Sequence, residues 1–325
     1  MRALIFDGTN TRLEVNRPEP APAPGEAVIR TTRAAVGGID LEISQGLGGF
    51  SGTLGREFVG VVEAIEGEDS IGLTGKRVVG SINVFCGACD MCQAGLSRHC
   101  RNRTLLGMDG RDGCLADRFT LPTQNLLAVP DSVDDDHAVF AQSLGAAMQA
   151  VRQLTIEGKP YITVLGDGPL GLLMVQVMAK LNASVRLVGR YSEKLMICEK
   201  WGIRHRHVDD VGRRADQDIV VDCTGSPTGL ELAMRLVRPR GKVLLKSLLA
   251  PTSRMAAASD LTPLVLNEIE LIGSSTGPVE EAVSALARGE VDVLSLISRR
   301  MSLDDGAELL HAAARPGMLK VLVNI

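Results

Sequence analysis

Apolar and polar positions follow different patterns in the two halves of this 325-residue chain. Before residue 125, short runs rich in Val, Ile and Phe end at Gly or Pro, which predicts β-strands; the clearest runs are residues 27–30, 57–65 and 76–82. After residue 160, continuous apolar runs alternate with segments of helical character. Because strands buried on both faces read as continuous apolar runs, the second half predicts an α/β fold with a doubly wound parallel sheet.

The elements of the second half can be assigned in order. The predicted strands are residues 161–165, 185–188, 218–223, 241–246 and 268–273. The predicted helices are residues 169–181, 193–201 and 229–237. Beyond Pro278 we expect a helix to about residue 287, a second helix near residues 303–314 and a last strand at residues 319–323, which could return to the first domain.

Composition and charge narrow the class of protein. The formal net charge is −4 and no long basic run occurs, so a groove for nucleic acid is not expected. No stretch of about 20 apolar residues is present, so no membrane span is expected either. The chain begins with the pattern of a strand and a turn rather than of a signal peptide, and we therefore expect a cytoplasmic protein.

Four of the seven cysteines lie within 15 residues, at Cys86, Cys89, Cys92 and Cys100. Without a secretion signal, this spacing favours metal ligation over disulfides. Four thiolates suit a tetrahedral structural Zn²⁺, and they leave no open coordination position for catalysis. The alternatives are free thiols in a flexible loop and an iron–sulfur cluster, which fits the flanking residues less well. We expect one structural zinc ion per chain.

A glycine-rich segment follows the strand at residues 161–165 and opens a helix. Such a segment permits a tight turn, close approach of a pyrophosphate and close packing of helix on strand. The phosphates then meet the free N–H groups of the helix N-terminus. A glycine-rich packing turn without a ligand is the alternative. The expected dinucleotide contacts are Gly166, Gly168, Pro169, Leu170 and Gly171.

The end of the next strand bears on the choice of cofactor. Sites for NAD(H) place a carboxylate there to hold the ribose hydroxyls, whereas this chain has Gly189. Arg190 can pair with a 2′-phosphate, a bond worth roughly 1.5–3 kcal/mol, and Tyr191 could stack on the adenine. We therefore expect NADP(H) in preference to NAD(H). The alternative is that Arg190 is solvated and the site does not discriminate.

These motifs resemble the zinc-dependent alcohol dehydrogenases of the medium-chain dehydrogenase/reductase family. The matching segments are residues 54–60, the four-cysteine lobe, residues 107–119, the glycine-rich segment, residues 222–225 and residues 238–241. The resemblance implies a GroES-like catalytic domain at residues 1–125 and 276–325, a Rossmann domain at residues 126–275, and an active site in the cleft between them. It also implies that Thr224 and Gly225 lie near the cofactor, that the substrate is a small molecule, and that homodimers or homotetramers form through the Rossmann sheet.

Members of that family usually hold a second, catalytic zinc through three side chains. The corresponding positions here are Gly37, Arg56 and Gln142, and the hydroxyl that relays the substrate proton is replaced by Ile39. A guanidinium about 4 Å from a dication costs about 8 kcal/mol even at an effective dielectric of about 20, and it cannot lose its proton to relieve the repulsion. We expect no catalytic zinc.

Without zinc, simple alcohol oxidation loses its Lewis acid. Arg56 is a candidate cation beside an oxyanion, Glu57 and Asp40 are candidate proton carriers, and Gln142 is a candidate partner of the substrate. A buried Arg56–Glu57 ion pair without a chemical role is the alternative. Zinc-free relatives often reduce activated bonds, so the resemblance implies an NADP(H)-dependent oxidoreductase that transfers hydride to an activated C=C, C=N or C=O of a small molecule. A non-redox NADP(H)-binding protein and a redox-neutral or cyclising enzyme remain as alternatives.

Overall fold

The computed structural model describes residues 1–212, 214–248 and 261–325. In these ranges the strands, numbered along the chain, are β1 Ala3–Phe6, β2 Thr11–Glu14, β3 Glu26–Val36, β4 Gly52–Thr53, β5 Glu57–Ile65, β6 Arg77–Gly80, β7 Asn83–Val84, β8 Thr104–Leu106, β9 Gly110–Arg111, β10 Arg118–Pro122, β11 Leu126–Ala128, β12 Tyr161–Leu165, β13 Ser184–Gly189, β14 Arg204–His207, β15 Gln217–Asp222, β16 Val237–Leu245, β17 Glu270–Gly273, β18 Ile297–Ser302 and β19 Lys320–Asn324. The helices are α1 Gly38–Ser44, α2 Asp90–Gln93, α3 Asp135–Ala138, α4 Ala141–Arg152, α5 Pro169–Ala179, α6 Ser192–Lys200, α7 Pro227–Leu236, α8 Thr262–Leu266, α9 Val279–Ala287 and α10 Glu308–Ala314.

The first compact unit is discontinuous and consists of Met1–Gln142 with Pro278–Ile325. Its largest sheet has seven strands, in the order β11-β6-β5-β3-β19-β18, with β10 also paired to β3. Two three-stranded sheets, β2-β1-β4 and β7-β8-β9, complete the unit. The predicted β-rich fold of the first region is confirmed.

Close packing of β3 and β5 organises the core of this unit. A β-carbon on Gly60 would lie 2.4 Å from Cγ2 of Ile29, so a larger residue at position 60 would separate the two strands. The rings of Phe58 and Phe119 meet edge to face in the same core, with centroids 4.7 Å apart. The core therefore fixes β5, which begins at Glu57, at the centre of the unit.

The second compact unit, Ser143–Gly277, contains a six-stranded parallel sheet in the order β14-β13-β12-β15-β16-β17. The strand order reverses between β12 and β15, and in such sheets ligands bind at the carboxyl ends of the strands at this point. β12 is buried at four of its five residues, as its continuous apolar run predicts. The predicted doubly wound sheet is confirmed.

Several local features depart from the sequence pattern. The helix predicted at residues 303–314 is a 3-10 turn, Leu303–Asp305, followed by α10, because Gly306 between them takes a φ of +57°. β18 was not predicted, since half of its residues are exposed and two are arginines. The described part of the crossover from β14 to β15 holds a 3-10 turn, Val208–Asp210, and no α-helix. Among the described helices, none has the length and apolar character needed to cross a membrane.

Candidate active site

The loop between β12 and α5 has the geometry of a phosphate-binding turn. Gly166 has a φ of +104°, and a β-carbon on Gly171 would lie 1.8 Å from the carbonyl oxygen of Gly166. Gly168 is the N-cap of α5, and no atom lies within 4 Å of the place for its β-carbon. Pro169 and Leu170 form the first turn of α5. Two glycines thus close the turn and one leaves space beside a helix N-terminus, which fits a dinucleotide pyrophosphate.

The loop after β15 lies beside this turn. The methyl carbon Cγ2 of Thr224 is 3.3 Å from the place for a β-carbon on Gly166, and Gly225 has a φ of +64°. Thr224 is held by Asp222, whose Oδ1 accepts hydrogen bonds from the Thr224 backbone N–H at 2.8 Å and from its hydroxyl at 2.7 Å. Burial raises the pKa of Asp222. The structure therefore brings Thr224 and Gly225 together with the glycine loop.

The side chain of Asp167, a residue of the glycine loop, reaches the end of β13. Its Oδ2 accepts hydrogen bonds from the backbone N–H groups of Arg190 at 2.6 Å and Tyr191 at 2.7 Å, and the residue is 8% exposed. The same oxygen is 2.5 Å from the place for a β-carbon on Gly189. The expectation that no negative charge stands at this strand end is therefore wrong, because a neighbouring loop supplies one.

Two cations accompany that carboxylate. Nη2 of Arg190 is 3.4 Å from the hydroxyl oxygen of Thr228, a long hydrogen bond that leaves the rest of the guanidinium without another partner among the described residues. Lys194 is buried, and its Nζ lies 4.5 Å from the centre of the Tyr191 ring. Burial lowers the pKa of Lys194, whereas Asp167 acts to raise it.

The four-cysteine lobe is preorganised for a tetrahedral metal ion. All four sulfur atoms lie within 4.8 Å of one another, and the measured Sγ–Sγ distances are 3.5 Å for Cys89–Cys92, 3.8 Å for Cys89–Cys100 and 3.5 Å for Cys86–Cys100. Zinc with Zn–S bonds of about 2.3 Å requires sulfurs about 3.8 Å apart. Within the described residues, this is the only group of three or more His, Cys, Asp or Glu side chains placed to hold a metal. The lobe fits a structural zinc.

Backbone N–H groups surround the lobe and favour thiolates. The amides of Cys86 and Asn102 donate to Sγ of Cys100 at 3.4 and 3.3 Å. Hydrogen bonds from the backbone of Ala88 and Cys89 lower the pKa of Cys86 to about 6. The backbone amides therefore favour the thiolate form of Cys86, whereas burial and the neighbouring thiols raise the pKa of Cys92 to about 12.

The place of a catalytic metal is bordered by charged side chains. A β-carbon on Gly37 would lie 3.3 Å from Oε1 of Glu57, 3.5 Å from Oδ2 of Asp40 and 3.7 Å from Nζ of Lys320. Gly37 itself has no ligand atom, and its backbone N–H donates to Oδ2 of Asp40 at 2.8 Å. A longer side chain at position 37 would therefore enter an occupied ion cluster.

Glu57 is paired with Lys320 rather than with its neighbour in the sequence. Nζ of Lys320 is 2.9 Å from both carboxylate oxygens of Glu57, and the two side chains are 3% and 13% exposed. No ion pair joins Arg56 to Glu57 among the described residues, so the alternative of a buried Arg56–Glu57 pair is wrong. Glu57 is thus held in an ion pair with Lys320, and its role as a proton carrier stays a prediction.

Nine buried side-chain polar atoms of this unit have no hydrogen-bond partner among the described residues, and three of them belong to candidate site residues: Nε of Arg56, Oδ1 of Asp40 and Oε1 of Gln142. Burial lowers the pKa of Arg56, while Asp40 and Glu57 attract its charge and act to raise it. Burial raises the pKa of Asp40, against the Gly37 N–H and the charge of Arg56. Buried polar atoms are normally paired, so these three atoms are candidates for contact with a polar ligand.

Sequence reasoning missed two residues that shape these sites. Asp167 is hidden at a variable position of the glycine motif, and only the geometry shows that it reaches β13. Lys320 is a lone cation in an apolar terminal strand, and that contrast was the only available signal.

Comparisons with known proteins agree with this architecture. Residues 23–131 match the alcohol dehydrogenase GroES-like domain, and residues 138–325 match the glucose dehydrogenase C-terminus. An L-threonine 3-dehydrogenase from Chelativorans sp. is 28% identical over 98% of this chain and 96% of its own length. A 2-dehydro-3-deoxy-L-galactonate 5-dehydrogenase from Pseudoalteromonas atlantica is 25% identical over 94% and 93% of the two chains.

Solved structures extend the comparison. A protein from Sinorhizobium meliloti, described as a zinc-binding dehydrogenase and bound to NADP, superposes with a TM-score of 0.86 at 26% identity over 100% of this chain and 99% of its own. L-idonate 5-dehydrogenase from Escherichia coli has the same fold, with a TM-score of 0.88 at 21% identity over 100% and 98% of the two chains. From the matched domains, the relatives and the two sites, we conclude that this chain is an oxidoreductase and belongs to the zinc-type medium-chain dehydrogenase family.

Proposed function

We propose that this protein is an NADP(H)-dependent oxidoreductase without a catalytic zinc, which reduces an activated C=C, C=N or C=O bond of a small molecule. The observation that carries the proposal is the set of unpartnered buried atoms on Arg56 and Gln142, at two positions of the family's zinc ligands, and on Asp40, which accepts from the backbone N–H of the third position, Gly37. Fold alone does not select the reaction, so the argument rests on this pocket.

The residues at the metal position do not fit a zinc ion. Gly37 offers no ligand, Arg56 is a cation, and the carboxylate of Glu57 is already bound by Lys320. Zinc prefers thiolate, imidazole or carboxylate ligands, and the remaining candidates, one carboxylate and one amide, do not make up a three-ligand site. One zinc per chain, in the cysteine lobe, is therefore the proposed metal content.

Arg56 supplies a positive charge in addition to that of Lys320, which is already paired with Glu57. Its guanidinium can donate to the oxygen or nitrogen of the substrate and stabilise negative charge that develops there. Oε1 of Gln142 accepts from a hydroxyl or N–H of the substrate. When bound, the cofactor supplies a hydride; Asp40, whose pKa is raised by burial, donates the matching proton from Oδ1 and is left as a carboxylate beside Arg56.

The preference for NADP(H) rests on Arg190 and Lys194, the two cations near the end of β13. The charge of Asp167 opposes a 2′-phosphate, but its Oδ2 is engaged by two backbone N–H groups. The relative from S. meliloti binds NADP, whereas an Escherichia coli protein titled a short chain alcohol dehydrogenase, 22% identical with a TM-score of 0.85, binds NADH and supports the fold alone. Arg190→Gln should reduce the NADPH-to-NADH affinity ratio by about tenfold, equivalent to about 1.4 kcal/mol.

Turnover assays test the reaction. NADPH consumption should occur with a panel of enals, enones and imines, and it should persist in protein that contains one zinc per chain. Arg56→Gln should lower kcat/KM by about 100-fold, the loss typical of one oxyanion donor, with little change in melting temperature. Parent-like kinetics in Arg56→Gln, or reduction of unactivated ketones that depends on a second zinc, would contradict the proposal.

We also propose that two copies assemble through the edge of the parallel sheet. β17 is an edge strand, and its Leu271 is 41% exposed. An edge strand with an exposed apolar residue favours pairing with another chain. Light scattering should give at least twice the chain mass of 34.5 kDa; a monomer at micromolar concentration would contradict this.

A further inference from the structure

The amino ends of the parallel strands border a cavity of about 830 Å³. Its lining includes Tyr161 at the start of β12, Ser184 at the start of β13, Gln217 at the start of β15, the C-terminal end of α6 and most of β14. The glycine loop and Arg190 lie at the opposite ends of these strands, so this cavity is separate from the dinucleotide site. Its volume falls within the range of small-molecule sites, roughly 300–1,000 Å³.

Three arginines line the cavity: Arg186 on β13, and Arg204 and Arg206 on β14. Arg186 and Arg204 are register partners in adjacent strands, so their side chains leave the sheet on the same face, and Arg206 shares that face two residues further on. In the part of the chain that the structure describes, none of the three guanidinium groups has a carboxylate within 4.0 Å. They present a row of cations without an ion-pair partner among the described residues, in a chain whose net charge is −4.

The two carboxylates that line the cavity have other partners. Oε1 of Glu199 is 3.2 Å from Nε2 of His205, and Oδ1 of Asp216 accepts from the side-chain amide of Gln217 at 2.6 Å. Arg186 is half-buried, and its Nε donates to the hydroxyl of Thr163 at 2.8 Å. Burial lowers the pKa of Arg186, the charge of Asp216 acts to raise it and that of Arg206 to lower it further. An anion in the cavity would relieve this repulsion.

The short crossover between β14 and β15 explains why this face is open. A right-handed connection between these strands passes over the sheet on the side opposite α5 and α6, and a helix in that place would cover the arginine row. The described residues of this crossover contain a 3-10 turn and no α-helix. In place of an apolar helix packing on an apolar face, the fold therefore leaves a concave, cationic surface.

We propose that this cavity binds a small anion with more than one phosphate group, held by Arg186, Arg204 and Arg206. Guanidinium groups bind phosphate oxygens through paired, charge-assisted hydrogen bonds, which a flexible ammonium does not reproduce. Because the three groups come from two adjacent strands about 4.8 Å apart, a ligand with several phosphates can reach both strands at once.

The only tryptophan of the chain makes a local probe available. Trp201 precedes Gly202, which lines the cavity. Titration of the full chain with inorganic tripolyphosphate and pyrophosphate, at about 0.15 M ionic strength, should change its fluorescence saturably. Citrate, a tricarboxylate without phosphate, should bind at least about tenfold more weakly than tripolyphosphate. No saturable change, or equal binding of citrate, would overturn the proposal.

Matched variants locate the binding. The double variant Arg204→Gln with Arg206→Gln should bind tripolyphosphate at least about tenfold more weakly than the parent. Its melting temperature should equal that of the parent, because both side chains are exposed. Arg235→Gln with Arg240→Gln removes the same charge from exposed positions of the same unit and should bind like the parent. Calorimetric titration with tripolyphosphate should still detect binding of this anion when NADPH is present at a saturating concentration. An equal loss in both double variants, or loss of binding when NADPH is present, would refute the site.

Discussion

Oδ2 of Asp167 stands 2.5 Å from the place that a β-carbon on Gly189 would take. The carboxylate that dinucleotide-binding sheets usually carry at the end of the second strand comes here from the glycine loop instead. The carboxylate of Asp167 fills the space that a side chain at position 189 would need. The structure therefore accommodates an acid at position 167 only with glycine at position 189.

Asp167→Asn should raise the preference for NADPH over NADH by about tenfold, or about 1.4 kcal/mol. The amide oxygen still accepts from the backbone N–H groups of Arg190 and Tyr191, while the charge that repels a 2′-phosphate is lost. Dissociation constants of both cofactors, measured by fluorescence, check this. An unchanged or lower preference would show that the carboxylate does not face the ribose.

Metal content tests the cysteine lobe. The parent should contain one zinc per chain, and Cys100→Ser should contain none and melt at a lower temperature, because the ion links both ends of the lobe. Cys223→Ala, outside the lobe, should keep its zinc. Mass spectrometry of the metal content measures both, and two zincs per chain in the parent would contradict a single structural site.

Asp40 should give stability a definite dependence on pH. Burial raises the folded-state pKa of Asp40 above the ordinary value of 3.8. The favourable contribution of Asp40 to the free energy of unfolding is therefore complete at pH values below 3.8, and it is lost as the pH rises through the folded-state pKa. Asp40→Asn should therefore gain stability relative to the parent as the pH increases. Denaturant unfolding between about pH 4 and about pH 8 measures this difference.

The same residue should shape the activity profile. If Asp40 donates the proton, reductase activity falls as the pH rises through the pKa of Asp40. Asp40→Asn should lose this decline of activity with pH, and it should also lose most of kcat. Ser44→Ala, at the last residue of α1, serves as a control for a substitution in this helix. A variant Asp40→Asn that keeps the parent's pH limb would remove Asp40 from proton transfer.

Lys320→Met should destabilise the protein by about 3–5 kcal/mol, because the buried carboxylate of Glu57 loses its only ion-pair partner in the described structure. Lys320→Met combined with Glu57→Gln should recover much of that loss, since no charge is left unpaired. Urea unfolding of the two variants and the parent gives the three free energies. Equal destabilisation by the single and double variants would argue against a coupled pair.

Sequence patterns predicted those features whose chemical requirements lie within a short segment of the chain. The three glycines of the phosphate loop, the strand that precedes them and the four cysteines could be read from spacing, because each requirement lies within a few residues.

Other features depend on partners that are distant in the sequence. Asp167 and Gly189 are separated by a helix, and nothing in either segment shows that one fills the space of the other. Glu57 follows Arg56 in the sequence, yet its ion-pair partner, Lys320, comes from β19. The arginine row required the register between β13 and β14.

The pairing of Glu57 with Lys320 also sets an order of events during synthesis. The two residues are 263 positions apart, and β19 lies inside the large sheet, between β3 and β18. At about 5–20 residues per second, a ribosome needs roughly 13–50 s to reach Lys320 after Glu57 has been made. During that interval the nascent chain lacks both the strand that completes the sheet and the cation that neutralises its buried acid. The parallel sheet, whose residues are contiguous, can form first, and the candidate site around Glu57 is assembled only when β19 has left the ribosome.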